Sequence, residues 1–219
     1  MNTSIPAPVE PCWSTGRPPN SFAALPAGRL GRLGGRIMRR MNAAQQREIA
    51  GLLVTSPAAD VLELGPGPGV LMDLLSRRPG VRHLIGIEPS ADMRALASRA
   101  LRAEVAAGRV DLRAGTAADT GLPDSVVDLA VSVNTVAIWP DLEAGVDELR
   151  RVLRPGGELV LSWHGGREPS RAARALVLPE GRPAMIETAL RGRFGDVHRV
   201  LTRRCTVFRA RRVPLPRPA

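Results

Sequence analysis

Two carboxylates and three glycines are the residues of this chain whose types and spacing can do chemistry. Glu63 leads into Gly65-Pro66-Gly67-Pro68-Gly69, and Glu88 closes the apolar run Ile85-Gly86-Ile87. Glycines set two apart allow positive φ and let a ligand approach the main chain closely. Where such a turn opens a helix, its free amides attract an anion. Further along come Gly115-Thr116-Ala117, then Asn134 and Trp139, then His164 beside Trp163.

These residues need elements to hold them, and the sequence alternates accordingly. Val61-Leu62-Glu63-Leu64 reads as a strand and 69–78 as a helix, followed by a second strand over 84–88. Ser90 can cap a helix running from 91 to 106, which Gly108 closes. Third and fourth strands fall at 110–113 and 126–133. Asp128 lies inside the fourth, where structural hydrogen bonding is its expected role. Asp141 caps a helix through 153, and Pro155-Gly156-Gly157 turns into a fifth strand over 158–163. Short strands alternating with helices predict a doubly wound α/β sheet with right-handed crossovers. In such sheets the ligand crevice lies beyond the carboxyl ends of the strands, so Glu63, the glycines, Glu88, Thr116, Asn134 and His164 should share one rim.

A dinucleotide fingerprint would place its third glycine at position 70, which is Val70. The glycines at 65, 67 and 69, the acid at 88, the Gly115-Thr116-Ala117 block, the strand at 127–132 and the Glu148-to-Gly157 block resemble, in order and spacing, the class I S-adenosylmethionine-dependent methyltransferases. The resemblance covers about residues 58–163. It implies a Rossmann-like, seven-stranded, mostly parallel sheet with helices on both faces, the last strand antiparallel. The two β segments at 197–202 and 205–210 would be its last strands.

The same resemblance implies S-adenosylmethionine as cofactor, S-adenosylhomocysteine as product, and no metal. Glu63 would attract the amino group, the amides of Gly65, Gly67 and Gly69 the carboxylate, and Glu88 both ribose hydroxyls. Ser90 and Met93 would flank the adenine on one side, with Thr116 and Ala117 on the other. Thr116 departs from the aspartate common there, and Asp119 can substitute. Asn134 serves either cofactor or acceptor. Methyl transfer needs alignment and exclusion of water, and a base only if the acceptor must lose a proton. Candidates beside the acceptor are His164, Asn134 and Trp139, although Trp139 also reads as a core plug. His83 starts the second strand at the wrong edge, and His198 starts a late strand, so structural roles are expected for both.

At 219 residues the chain is long enough for one sizeable core. The net charge of +10 comes from 31 basic residues that are all arginine, which together with 20 prolines and 22 glycines reads as composition bias and weakens a nucleic-acid interpretation. The arginine clusters at 36–40 and 203–212 read as solvated faces first, and as a surface for an anionic substrate or lipid headgroup second. Cys12 and Cys205 sit far apart without a metal-ligand pattern, no stretch approaches a membrane span, and no signal peptide is seen. A cytoplasmic setting is the expectation, and nothing in the sequence bears on oligomeric state.

The domain reading is a disordered or extended segment over 1–35, one methyltransferase domain over 36–212, and a frayed tail over 213–219. Within the domain, 36–56 is an N-terminal helix that either lids the cofactor with Met38, Met41 and Asn42 or packs on the sheet. Residues 58–163 form the cofactor-binding core, and 164–212 add substrate-side helices and the last two strands. No large recognition domain for a polymer is visible, so a small-molecule acceptor leads. The alternatives are an RNA or DNA methyltransferase and a non-catalytic cofactor-binding protein. Against the first stands Asn134-Thr135-Val136, where an exocyclic-amine enzyme would favour an Asn-Pro-Pro-aromatic element.

Overall fold

The computed structural model describes residues 10–17 and 28–213, with the side chains of 28–36 and of Met38 outside that description. The expected disorder of 1–9 and 18–27 and the tail over 214–219 therefore lie outside the described residues.

The chain builds helix α1 (Gly28–Leu52), strand β1 (Ala59–Leu64), α2 (Val70–Ser76), β2 (Val81–Ile87), α3 (Ala91–Ala100), α4 (Arg102–Ala106) and β3 (Val110–Arg113). Then follow β4 (Val127–Val133), a single 3-10 turn (Val136–Ile138), α5 (Leu142–Val152) and β5 (Leu153–His164). Helices α6 (Arg171–Arg174) and α7 (Arg182–Arg191) precede β6 (Asp196–Leu201) and β7 (Cys205–Arg211). The sheet order is β3-β2-β1-β4-β5-β7-β6, with β7 antiparallel to both neighbours. The expected doubly wound, mostly parallel, seven-stranded sheet is present. Chain direction across it reverses between β1 and β4, the switch point where such sheets open a crevice.

Strand β1 is buried along its whole length and β4 nearly so, because helices cover both faces. On one face Leu62, Leu64, Leu159, Leu161 and Trp163 pack against Val146 and Leu149 of α5 and Ile186 and Leu190 of α7. On the other, Val61, Leu129, Val131, Val160 and Val207 meet Ile49, Ala50 and Leu53 and the α2 residues Leu71, Met72 and Leu75. Leu142, Val146, Leu149 and Val152 recur at helical spacing, so α5 buries one stripe. The Asp141 carboxylate accepts from the amides of Glu143 and Ala144 at 2.8 and 3.1 Å to start it. The Arg78 guanidinium donates to the Leu53 carbonyl at 2.7 Å and also to that of Ala50, satisfying acceptors that the end of α1 leaves open.

Several boundaries differ from the sequence reading. Helix α1 begins at Gly28, ahead of 36: glycine costs about 1 kcal/mol in a helix interior, a penalty and not a veto. The helix expected through 106 breaks at Leu101, which is fully buried in the core beneath α1. Strand β5 starts at Leu153, its early residues admitted by a register shift against β4 between Val127 and Leu129. Residues 10–17, expected to be disordered or extended, dock on the turn after β4. The Trp13 indole donates to the Val136 carbonyl and the Ser14 hydroxyl to the Ala137 carbonyl, each at 2.6 Å. Proline content argued for disorder there, but Cys12 is buried and Trp13 half-buried, and that apolar area offsets the ordering entropy.

Asp128 plays the structural part expected of it. It accepts from the Asp60 amide at 2.8 Å and from Arg154 at 2.7 Å, at the amino-terminal ends of β1 and β4, away from the crevice. Much of the arginine charge is matched in this way, for example Arg151 by Glu148 and Asp124, and Arg193 by Asp147. Arg39 and Arg40 are solvated.

Candidate active site

The glycine turn leaves β1 with Gly65, Gly67 and Gly69 at φ of 72°, 54° and 80°, a region where side chains are strained. Two of them are also close to other groups. A Cβ on Gly65 would collide with the Thr135 methyl, and one on Gly69 would stand 3.0 Å from the Ala97 Cβ. Gly67 is different: nothing lies within 4 Å of its Cβ position, so the turn opens a backbone cradle there.

Glu88, at the carboxyl end of β2, spans the turn. One of its oxygens accepts from the Gly67 amide at 3.0 Å and the other from the Ser90 amide at 2.9 Å. The side chain is only 5% exposed, and burial raises its pKa, opposed by those two amides and by Arg94. Each carboxylate oxygen has two acceptor positions, so one on each stays available for a hydroxyl.

Glu63 projects from β1 in almost complete burial, 1% exposed, and its Oε2 has no hydrogen-bond partner. Burial pushes its pKa up to about 8; the neighbouring Glu88 charge adds to this and the Met72 amide opposes it. A buried carboxyl group with an unused oxygen beside a backbone cradle suits an ammonium group. On the third strand's loop, the Asp119 amide donates to the Thr116 hydroxyl at 3.1 Å and the Thr116 amide to the Asp119 carbonyl at 2.8 Å. Thr116 is exposed and Ala117 buried; Ser90 and Met93 are buried, the Ser90 hydroxyl accepting from the Met93 amide at 3.3 Å.

With this geometry in view, the comparisons are specific. Residues 62–161 match the family model described as a methyltransferase domain. An uncharacterized methyltransferase, YdaC of Bacillus subtilis, is 35% identical over 102 residues, covering 47% of this chain and 54% of that protein. The phosphatidylethanolamine N-methyltransferase of Cereibacter sphaeroides is 33% identical over 115 residues, covering 52% of this chain and 55% of that protein. A solved S-adenosylmethionine-dependent methyltransferase from Aquifex aeolicus superposes with a TM-score of 0.67 at 16% identity, over 83% of this chain and 98% of that one, a likeness of fold. The chain carries a class I S-adenosylmethionine-dependent methyltransferase domain. It spans about half the length of those two relatives.

In this methyltransferase domain α1 meets the rim of the sheet just beyond β4. Asn134, just beyond β4 at φ 61°, exchanges amide hydrogen bonds with Gln45: Gln45 Nε2 donates to Asn134 Oδ1 at 3.1 Å, and Asn134 Nδ2 to Gln45 Oε1 at 2.8 Å. Gln45 also hydrogen-bonds the Cys205 thiol, whose pKa burial pushes up to about 11. The helix is therefore pinned to the rim by a polar pair. Of the expected lid residues, Met41 is exposed and Asn42 half-buried, while the Met38 side chain lies outside the described residues.

His164, at the end of β5, is 8% exposed with Nδ1 unpartnered, and its ring meets that of Trp163 edge-on at 5.4 Å. Burial lowers its pKa to about 4, so the imidazole is neutral near pH 7 and a weak base. Trp139 is corrected from an acceptor-side residue to a core residue. It is buried, its edge would lie 2.6 Å from a Cβ on Gly145, and its indole donates to the Thr135 hydroxyl at 3.0 Å. A glycine on α5 makes the slot that the ring fills.

Thr135 escaped the sequence reading. Its hydroxyl accepts from Trp139 and hydrogen-bonds that of Ser132, which in turn donates to the Leu64 carbonyl at 2.9 Å. That relay braces the end of β1 against the turn after β4 and sets the position of Gly65. Gln45 and Gln46 were missed too, although two adjacent amides in the register of Ile49 and Leu53 on an otherwise apolar helix face were a usable signal. His83 and His198 stand away from the site, His198 paired with Asp196 at 2.7 Å on the edge strand. A cavity of about 590 Å³ near Asp60, Arg82, Arg113 and Arg154 lies at the opposite edge of the sheet, and those arginines are matched by Asp60, Asp111 and Asp128. Among the described residues no three His, Cys, Asp or Glu side chains gather as a metal set, and no helix is long and apolar enough to cross a membrane.

Proposed function

We propose that this chain binds S-adenosylmethionine between the glycine turn and Glu88 and transfers its methyl group to a small-molecule acceptor by direct displacement. The observation that carries the reading is the pairing of two buried carboxylates across one backbone cradle, one with an unused oxygen and one with two acceptor positions spare. Glu63 holds the ammonium group, the Gly67 region accommodates the carboxylate, and Glu88 receives the ribose hydroxyls. The loop at Thr116 and Ala117 and the Ser90–Met93 turn flank the base. When bound, the cofactor supplies a methyl group already activated on sulfur, so the protein contributes alignment and exclusion of water. The α1 helix, pinned at Gln45, shields the reacting end from solvent, and Asn134 and His164 orient the acceptor.

Support for a small acceptor comes from relatives named for one: a nocamycin O-methyltransferase of Saccharothrix syringae and a trans-aconitate 2-methyltransferase of Azoarcus are 32% and 36% identical to about half of this chain. The likeness to a phosphatidylethanolamine enzyme keeps amine acceptors in the trial panel beside hydroxyl acceptors. The test is calorimetric titration with S-adenosylhomocysteine, followed by transfer of labelled methyl groups to fractionated metabolites. Saturable binding with transfer to a low-molecular-weight fraction is expected. Transfer only to RNA or protein would replace the small-molecule reading, and no binding would end the cofactor reading.

A further inference from the structure

Among the described residues, four buried side-chain atoms have no hydrogen-bond partner: Glu63 Oε2, Gln46 Oε1, Ser162 Oγ and His164 Nδ1. The first is accounted for above. The other three belong to side chains that carry no charge near neutral pH, and all are at least nine-tenths buried, Gln46 at 9%, Ser162 at 0% and His164 at 8% exposure.

They occupy one layer of the molecule. Alternation along β5 puts Ser162 and His164 on the face shared with Val160, away from Leu161 and Trp163. Their antiparallel partners Val207 and Cys205 belong to the core beneath α1. Gln46 lies on the buried stripe of α1 that includes Ile49 and Ala50. Its neighbour Gln45 is tied to Asn134 and Cys205 at that same end of the sheet.

Leaving a buried polar group unsatisfied is costly, so three in one layer need a common explanation. The chemistry of the set is restrictive. Gln46 Oε1 only accepts, the Ser162 hydroxyl donates and accepts, and an imidazole nitrogen does one or the other according to tautomer. A carboxylate or phosphate brings acceptors only and would face the Gln46 carbonyl. An ammonium would lose its hydration with no anion in the set to replace it. A group that both donates and accepts without charge satisfies all three.

We infer that Gln46, Ser162 and His164 line a recess that anchors the methyl acceptor through an uncharged hydroxyl group. The inference deepens the methyltransferase reading and rests on it for the word acceptor, but the recess itself can be judged separately. Phenol, benzoate and benzylammonium are similar in size and differ in charge. Each is titrated into the protein, both ligand-free and saturated with S-adenosylhomocysteine, while long-range proton–nitrogen NMR follows the ring nitrogens of His164.

Phenol should shift the His164 signals saturably, and the charged probes should bind at least about tenfold more weakly. Ser162→Ala should weaken phenol about fivefold or more while leaving S-adenosylhomocysteine affinity within about twofold. Gln46→Met repeats the test from α1 should the serine variant not fold. Equal response to all three probes, no shift at His164, or phenol binding that both variants leave intact would overturn the recess and point to a bridging water. Failure of S-adenosylhomocysteine to bind overturns the methyltransferase reading instead, since phenol selectivity on the ligand-free protein stands or falls independently.

Discussion

At the β1–β2 end of the crevice the polar groups are main-chain amides and two carboxyl groups, all drawn from the stretch between Glu63 and Ser90. At the β4–β5 end they are uncharged amides, a hydroxyl and an imidazole, contributed by α1, the residue after β4, and β5. The first end is local in sequence, charged and able to grip a zwitterion and a sugar. The second is assembled from distant segments, and its polar groups are partly satisfied by one another. A common cofactor needs the same contacts in every relative, whereas an acceptor site has to differ between enzymes. On the function proposed above, the first end holds the cofactor and the second the acceptor, so one crevice divides the two tasks.

The sharpest way to break this contrast is at its hinge, Gly65, which touches both ends through Thr135. Gly65→Ala adds a Cβ against the Thr135 methyl at φ 72° and should destabilise the protein by about 2–4 kcal/mol, read as a lowered denaturation midpoint, with cofactor binding abolished. Wild-type stability in that variant would show that the turn is free to move. Next in size is Glu88→Ala. Loss of its charged hydrogen bonds should weaken S-adenosylhomocysteine by about 1.5–3 kcal/mol by calorimetry, and an unchanged affinity would remove the ribose assignment.

A third test uses pH. Glu63 has a folded pKa of about 8, above its ordinary value of 4.5, so in the ligand-free protein its protonated form is favoured. The stability it contributes is fully present below 4.5 and is lost as pH rises toward 8. Holding an ammonium requires the ionised form, so binding of S-adenosylhomocysteine should release a proton near pH 7. Affinity should rise by up to about tenfold per pH unit until pH 8. Glu63→Gln should bind more weakly at pH 8 and abolish that slope; a slope that persists would place the proton elsewhere.

The smallest effects are expected at the other end. Gln45→Leu removes the amide pair with Asn134 and should loosen α1 by about 1 kcal/mol, seen as faster hydrogen exchange in its last turns with the sheet unaffected. His164→Gln should lower acceptor turnover and leave cofactor affinity unchanged. Equal losses in both would move His164 to the cofactor side.

The sequence alone determined the succession of strands and helices up to β5, the capping roles of Ser90 and Asp141, and the glycine turn with its two acids. These depend on short-range physics: periodic burial, side-chain caps within a helical turn, and φ values open to glycine. Trp139 remained ambiguous on sequence because an aromatic beside a rim can face a ligand or fill a gap, and only Gly145 on a later helix makes the slot that takes it. Residues 10–17 read as disordered because composition records prolines but not the carbonyls at 136 and 137 waiting for Trp13 and Ser14. Tertiary structure alone decided that Gln45 would meet Asn134, that Thr135 would brace Gly65, and that Gln46, Ser162 and His164 would be buried unpaired. Each of these depends on which helix covers which sheet face, a matter of packing between segments far apart in the chain, and no local propensity encodes it.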